Sequence, residues 1–139
     1  MNFRIALSIA TVSFLMGAAT SFGLTQNLEW YFWAVLAIFS AYLIGKRAPR
    51  RPVGNGFLVG FLCGLASSAA ESLFFDFYIV NNPTSADRLA RIAGGVDPRM
   101  FMLASGAIIG LAAGIVFAVL ALLAARLEAG RSRPSPPAS

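Results

Sequence analysis

Histidine is absent from this chain, cysteine occurs once, at Cys63, and lysine occurs once, at Lys46. The chain alone therefore forms no disulfide, thiolate zinc cluster or imidazole-ligated haem, and it has no cysteine–histidine nucleophile pair. No serine has a histidine, or a lysine at membrane depth, to activate it. We expect a protein that is not an enzyme and holds no metal or cofactor, with Cys63 as a small packing residue.

Charge is also scarce, because 12% of the residues are charged and 58% are hydrophobic. A soluble domain carries about 25% charged residues, so this composition indicates an integral membrane protein whose main partner is the lipid bilayer. Only helices and closed barrels satisfy the backbone in hydrocarbon, and the apolar stretches lack the two-residue alternation of a barrel strand. The fold class is therefore predicted to be all-α.

Four apolar stretches are each close to the roughly 20 residues that cross a bilayer, at 5–24, 28–45, 56–80 and 99–125. They predict one four-helix membrane domain over 1–129, in which Asn27 caps the second helix. The Pro-, Ser- and Arg-rich tail 130–139 is predicted to be disordered. A cleaved signal peptide is the alternative for the first stretch, since small residues follow a basic start, but the apolar run continues to Leu24.

Lysine and arginine indicate the orientation. One face is predicted to hold eight of them: Arg4, Lys46, Arg47, Arg50, Arg51, Arg126, Arg131 and Arg133. The other face holds Arg88, Arg91 and Arg99. The positive-inside rule places both termini and the central basic loop in the cytoplasm, in the cytoplasmic (inner) membrane. The basic balance then has a topological cause, so we expect no nucleic-acid partner and only weak attraction of the basic loop to anionic lipid.

Glycine recurs every four residues in the last two stretches, at Gly56, Gly60 and Gly64 and at Gly106, Gly110 and Gly114. Such rows let two helix backbones approach closely, so helices 3 and 4 are predicted to contact each other. The same rows also suit pairing between subunits. An inverted repeat and convergent packing explain the shared pattern equally well.

Glu71 lies within the third stretch, about 20° around the helix from Gly64. It is predicted to face a protein neighbour about 13 Å inside the membrane from Val80, level with 105–108 of the fourth helix. A charged carboxylate there costs at least about 2.5 to 3.5 kcal/mol unless it is paired, hydrated or protonated. Nearby hydroxyls predict a polar cluster around it: Ser67, Ser68, Ser72, Ser105, Thr20 and Ser21.

Asp76 is the second acid of this stretch and lies about 140° around the helix from Glu71. It is close enough to the membrane surface to form an ion pair with Arg88, Arg91 or Arg99. In the following loop Thr84 or Ser85 is predicted to cap a helix that carries Asp87 in its first turn, ends at Ala93 and is closed by 94–95. Asp97 and Pro98 are predicted to start the fourth helix.

The order of these features supports one resemblance. A tyrosine at 78, Asn82-Pro83, a polar helical loop, Asp97-Pro98 and a glycine-row helix with a basic end cover the C-terminal half. This half resembles a family of small uncharacterised bacterial four-helix membrane proteins, known as a domain of unknown function. The resemblance implies no activity, ligand or catalytic residue.

Two functions from different classes follow. In the first, the chain is a small non-catalytic membrane protein that packs or assembles within a homo-oligomer or a larger membrane complex, with Glu71 fixing the helix register. In the second, it is a transporter or channel subunit in which Glu71 takes up a proton or a cation. We expect the first.

Overall fold

The computed structural model describes residues 2–25 and 28–131, which form helices and no strand. The helices are α1 (Phe3–Ser21), α2 (Glu29–Arg47), α3 (Pro52–Leu73), α4 (Phe75–Asn81), α5 (Pro83–Ala93) and α6 (Pro98–Arg131). Three of them, α1, α3 and α6, are long and apolar enough to cross a membrane. The all-helical prediction is confirmed over this part of the chain.

The predicted span 28–45 falls on α2, which is less apolar than these three helices. It begins at Glu29, ends with Lys46 and Arg47, and contains two tryptophans and two tyrosines. Predictions for Asn27 and for the tail beyond residue 131 lie outside the described residues.

The third predicted span, 56–80, is not one helix. It is broken at Phe74 (φ −98°, ψ 31°), where α3 ends and α4 begins. The Phe22 ring at the end of α1 packs against Phe74 and Phe77, with centroid distances of 5.4 and 4.9 Å. These contacts hold α4 against the end of α1.

Two asparagines at the end of α4 strengthen that contact. Asn81 Nδ2 donates to Ser21 O at 3.2 Å, and Asn82 Nδ2 donates to Thr20 O at 3.0 Å. Thr20 O also accepts from the backbone N–H of Gly23, whereas Asn81 supplies the donor for Ser21 O at the end of α1.

The loop helix predicted between the last two spans is present as α5. It begins at Pro83, earlier than predicted, so Asp87 is not in its first turn. Gly94 and Gly95 close it with φ of 56° and 94°, as predicted, because glycine adopts this left-handed backbone without strain.

Helix α6 begins at Pro98, as predicted. Asp97 Oδ1 accepts hydrogen bonds from the backbone N–H of Arg99 at 2.8 Å and of Met100 at 3.3 Å. With 34 residues this helix is about 51 Å long, which extends beyond the predicted span 99–125.

Helix α3 is central, with α1 on one side and α6 on the other. It runs parallel to α1, since the Ser13 hydroxyl donates to Cys63 O at 2.9 Å and Gly17 packs against Ser67. Helix α2 lies along α6, where Gly45 packs against Ala124. These four helices share one core, whose buried members are Ala6, Ile9, Leu36, Ala37, Ile44, Val59, Cys63, Phe117 and Ala121.

The backbones of α3 and α6 lie in direct contact along the two glycine rows, an arrangement that we call the α3–α6 seam. A Cβ atom added at Gly60 would lie 2.6 Å from Ala113 O, and one added at Gly56 would lie 2.6 Å from Phe117 O. A Cβ at Gly64 would overlap the backbone of Gly110. Since real Cβ atoms essentially never approach other atoms within 3.0 Å, no larger residue fits without a shift of one helix.

Candidate functional site

The two ends of the bundle differ in charge. The end at which α1 and α3 finish and α2 and α6 begin carries Glu29, Glu71 and Asp76, and we call it the acidic end. The opposite end carries Arg47, Arg50 and Arg51, and we call it the basic end.

The register of the α3–α6 seam determines which residue of α6 lies level with Glu71. Gly64 lies against Gly110 and Ser68 lies against Gly106, so α3 and α6 are antiparallel. Three residues beyond Ser68, Glu71 is level with Leu103. The predicted level of 105–108 was therefore wrong by about one helical turn, because the spacing of the glycines alone does not give their pairing.

Glu71 also lies closer to the end of its helix than predicted. Helix α3 ends at Leu73, so Glu71 lies in its last turn, and the chain continues past it through α4 to Asn81. The predicted depth of about 13 Å below Val80 assumed one straight helix, which the break at Phe74 excludes.

The predicted cluster of hydroxyls around Glu71 reduces to one direct hydrogen bond. Ser67 Oγ donates to Glu71 Oε1 at 3.2 Å. The other hydroxyls bond elsewhere: Ser72 to Arg99 O, Ser105 to Met102 O, Thr20 to Met16 O and Ser21 to Gly17 O, while Ser68 packs against Gly106. Each of these hydroxyl groups therefore either contacts another helix or donates to a carbonyl of its own helix.

Glu29 is the neighbour of Glu71 that the sequence did not reveal. The two carboxylates lie close enough to repel each other, and Tyr78 of α4 lies near both of them. The Trp33 side chain lies near Glu29, and both residues line the same groove. We call Glu29, Glu71, Ser67 and Tyr78 the acidic cluster.

No lysine or arginine pairs with the acidic cluster in residues 2–25 and 28–131. The ion pairs in that part of the chain are Asp76 with Arg99 and Glu128 with Arg131. Over the same residues no three metal-ligating side chains come together. Two carboxylates without a nearby cation can attract a positive charge.

Asp76 is separate from this cluster. Its carboxylate is 82% exposed and pairs with Arg99 at 3.0 Å, and the Arg99 guanidinium lies 5.4 Å from the centroid of the Phe75 ring. Of the other predicted partners, Arg91 donates to Asp87 O at 3.3 Å, and Arg88 forms no ion pair within the described residues. An exposed pair of this kind contributes about 0 to 1 kcal/mol.

Open grooves flank α2 on both sides. A groove of about 770 Å³ between α2 and α6 has Glu29, Trp30 and Trp33 at the acidic end, and small residues along its walls, at Ala34, Ala37, Ala112 and Ala113. A second groove, of about 480 Å³, lies between α1 and α2 and is lined by large side chains such as Leu15, Phe32 and Phe39. Helix α2 therefore stands as a ridge between two grooves.

Comparison with other proteins assigns no family to this chain: no family model, no curated protein and no solved structure matches it. The resemblance of the C-terminal half to a family of small four-helix membrane proteins stays a prediction.

Repulsion within the acidic cluster is testable by a double-mutant cycle in detergent micelles. Glu29→Gln and Glu71→Gln each remove one of the two charges and keep the shape of the side chain. Because either substitution removes the whole repulsion, the double variant should be less stable than the sum of the single effects implies, by about 0.5 kcal/mol or more in the free energy of unfolding.

Asp76→Asn is the matched control for this cycle, because it removes the charge of an acid that has a cation partner. It should lower the stability by at most about 1 kcal/mol, and its effect should add to that of Glu29→Gln. Strict additivity of Glu29→Gln and Glu71→Gln would show that the two carboxylates do not interact.

Proposed function

We propose that this chain is a small non-catalytic integral protein of the cytoplasmic membrane and acts as a packing or assembly subunit. It crosses the membrane four times, through α1, α2, α3 with α4, and α6, as one four-helix bundle held by its glycine rows. The proposal is supported by one combined observation: the four helices share a buried core, and the outer surface of the bundle is also apolar. Large side chains such as Ile108, Ile115 and Leu127 are 72%, 61% and 67% exposed, which favours contact with lipid tails.

The proposed orientation places the basic end in the cytoplasm together with both termini. The excess of arginine in the short loop between α2 and α3 supports this orientation through the positive-inside rule. The acidic end, α5 and Arg99 then lie on the outer side.

A packing role agrees with the closed interior of the bundle. The seam brings the backbones of α3 and α6 into contact, and the core side chains of Ile44, Val59 and Cys63 are at most 1% exposed.

The partner that we propose for assembly is a second copy of the chain. A two-fold interface uses the same patch on both subunits, so it needs a ridge and a groove side by side. Helix α2 and the α2–α6 groove supply this shape, and the exposed side chains of Val35 and Ile38 make the ridge apolar. Small residues in the groove favour close contact between helices in lipid.

Fluorescence energy transfer between labelled chains in vesicles tests self-association. We expect transfer in the wild type that falls as unlabelled chain is added, and a several-fold weaker association of Ala112→Phe, whose ring fills the α2–α6 groove. Ile115→Phe adds the same ring on the lipid-facing side of α6, outside the groove, and should associate like the wild type. An absence of transfer in the wild type, or equal effects of the two substitutions, would refute assembly through this groove.

The second candidate function is proton- or cation-coupled transport that uses Glu71. The observation in its favour is the acidic cluster, in which two carboxylates share one end of the bundle without a cationic partner among the described residues. Ionisable side chains of this kind often mark proton or ion pathways in membrane proteins.

Flux measurements on reconstituted vesicles separate the two functions. If the chain is an assembly subunit, proton and monovalent-cation flux into vesicles that contain it should equal the flux into empty vesicles. Flux in the wild type that Glu71→Gln abolishes and Asp76→Asn preserves would establish transport and reject a purely structural role for Glu71.

A further inference from the structure

The basic end of the bundle contains a pocket that neither proposed function uses. Its volume is about 410 Å³, and it is lined by Asn2, Arg47, Ala48, Pro49, Arg50, Arg51 and Asn55. The lining thus contains three guanidinium groups and two carboxamides, and no acidic side chain. None of the three arginines forms an ion pair within the described part of the chain.

Asn55 gives this pocket a specific donor. The residue is 5% exposed, and its Oδ1 accepts a hydrogen bond from the backbone N–H of Asn2 at 2.9 Å. That bond fixes the orientation of the carboxamide, so the Nδ2 hydrogens point away from Asn2, and no atom of the described residues accepts from Nδ2. Every fully buried side-chain nitrogen in the described residues has a partner, so the unpartnered Nδ2 keeps some exposed surface, and Asn55 lines the pocket. A buried donor of this kind favours a ligand with an acceptor oxygen.

The backbone adds positive potential at the same place. Helix α3 begins at Pro52, directly beside the pocket, and no side chain caps it, so its first N–H groups keep their partial positive charge. Helix α1 begins at Phe3, but its N-terminus is capped by Asn2, whose Oδ1 accepts from the backbone N–H of Ile5. The C-terminal end of α2, at Arg47, also borders the pocket and brings about half a negative charge. Three full positive charges and the uncapped end of α3 outweigh it, an arrangement suited to an anion.

We propose that this pocket binds a phosphate group, with the guanidinium groups of Arg47, Arg50 and Arg51 and the Nδ2 group of Asn55 as its donors. Guanidinium groups bind phosphate oxygens through paired, charge-assisted hydrogen bonds, and the amide hydrogen bonds add direction. An anionic phospholipid is the source that its position favours, because the pocket lies at the ends of the apolar helices α1 and α3. Only this choice of source rests on the proposed membrane location; phosphate recognition itself does not.

A defined pocket differs in stoichiometry from diffuse attraction between a basic loop and a charged membrane. It holds one phosphate group per chain, and a substitution inside it weakens binding more than an equal change of charge elsewhere. This difference makes the site testable with variants of the full chain that carry the same net charge.

The test uses the full chain purified in a neutral detergent, with two probes. Phosphatidylglycerol is added in mixed micelles, with phosphatidylcholine as the neutral lipid, and retained lipid is counted by native mass spectrometry. Inorganic phosphate is titrated in a separate arm by calorimetry. We expect one phosphatidylglycerol retained per chain in preference to phosphatidylcholine. Saturable binding of inorganic phosphate alone would instead identify a soluble phosphate compound as the source.

Three variants identify the site. Asn55→Asp keeps the oxygen that accepts from Asn2 and replaces the amide donor by a second carboxylate oxygen, so binding should weaken at least tenfold. Arg50→Gln should weaken it about tenfold, whereas Arg126→Gln, with the same loss of charge on α6 outside the pocket, should change it less than twofold. No saturable binding in either arm, or equal losses in Arg50→Gln and Arg126→Gln, would overturn the proposal. Arg50 is exposed, so its substitution tests the site even if Asn55→Asp fails to fold.

Discussion

At Gly60 and Gly64 the backbone of α3 touches that of α6, with no room between them for a Cβ atom. In lipid the hydrophobic effect does not hold two apolar helices together, so close packing of this kind supplies much of their association. The opposite side of α3 is used by α1, where Gly17 lies against Ser67. Because α3 is in contact on both sides, its position largely determines where the other helices lie.

The same seam determines the chemistry at both ends of the bundle. Its register puts Ser68 at Gly106, and this brings Ser72 to the start of α6, where its hydroxyl donates to Arg99 O at 3.2 Å. Helix α2 packs against α6 where Gly45 contacts Ala124. Because Gly45 is near one end of α2, Glu29 at the other end lies at the acidic end of the bundle, near Glu71. At the basic end α3 begins beside Asn2, whose backbone N–H donates to Asn55 Oδ1. This bond holds the buried carboxamide of Asn55 at the proposed phosphate site.

Local features of the sequence predicted the start of α6 and the end of α5, since Asp97 with Pro98 and Gly94 with Gly95 affect only the backbone within a few residues of them. Long-range features could not be predicted in the same way. The break at Phe74 has no proline or glycine to mark it and follows from ring contacts with Phe22, about fifty residues earlier. Glu29 lies in the first turn of α2, where the helix dipole favours an acid, and nothing in the local sequence marks it further. Its proximity to Glu71 depends on how α2 packs, and the choice of Arg99 over Arg88 and Arg91 depends on where α6 begins.

One comparison tests the seam most directly: the free energy of unfolding of Gly64→Ala against that of Gly54→Ala in the same detergent. Both substitutions exchange glycine for alanine in α3, and a Cβ at Gly54 meets nothing within 4 Å. Helix propensity should therefore leave Gly54→Ala equal to the wild type or more stable by up to about 1 kcal/mol. Gly64→Ala should lose about 1 to 3 kcal/mol because the added methyl group overlaps the backbone of Gly110. If Gly64→Ala proved as stable as Gly54→Ala, the two helices would not be in backbone contact, and the account would be wrong.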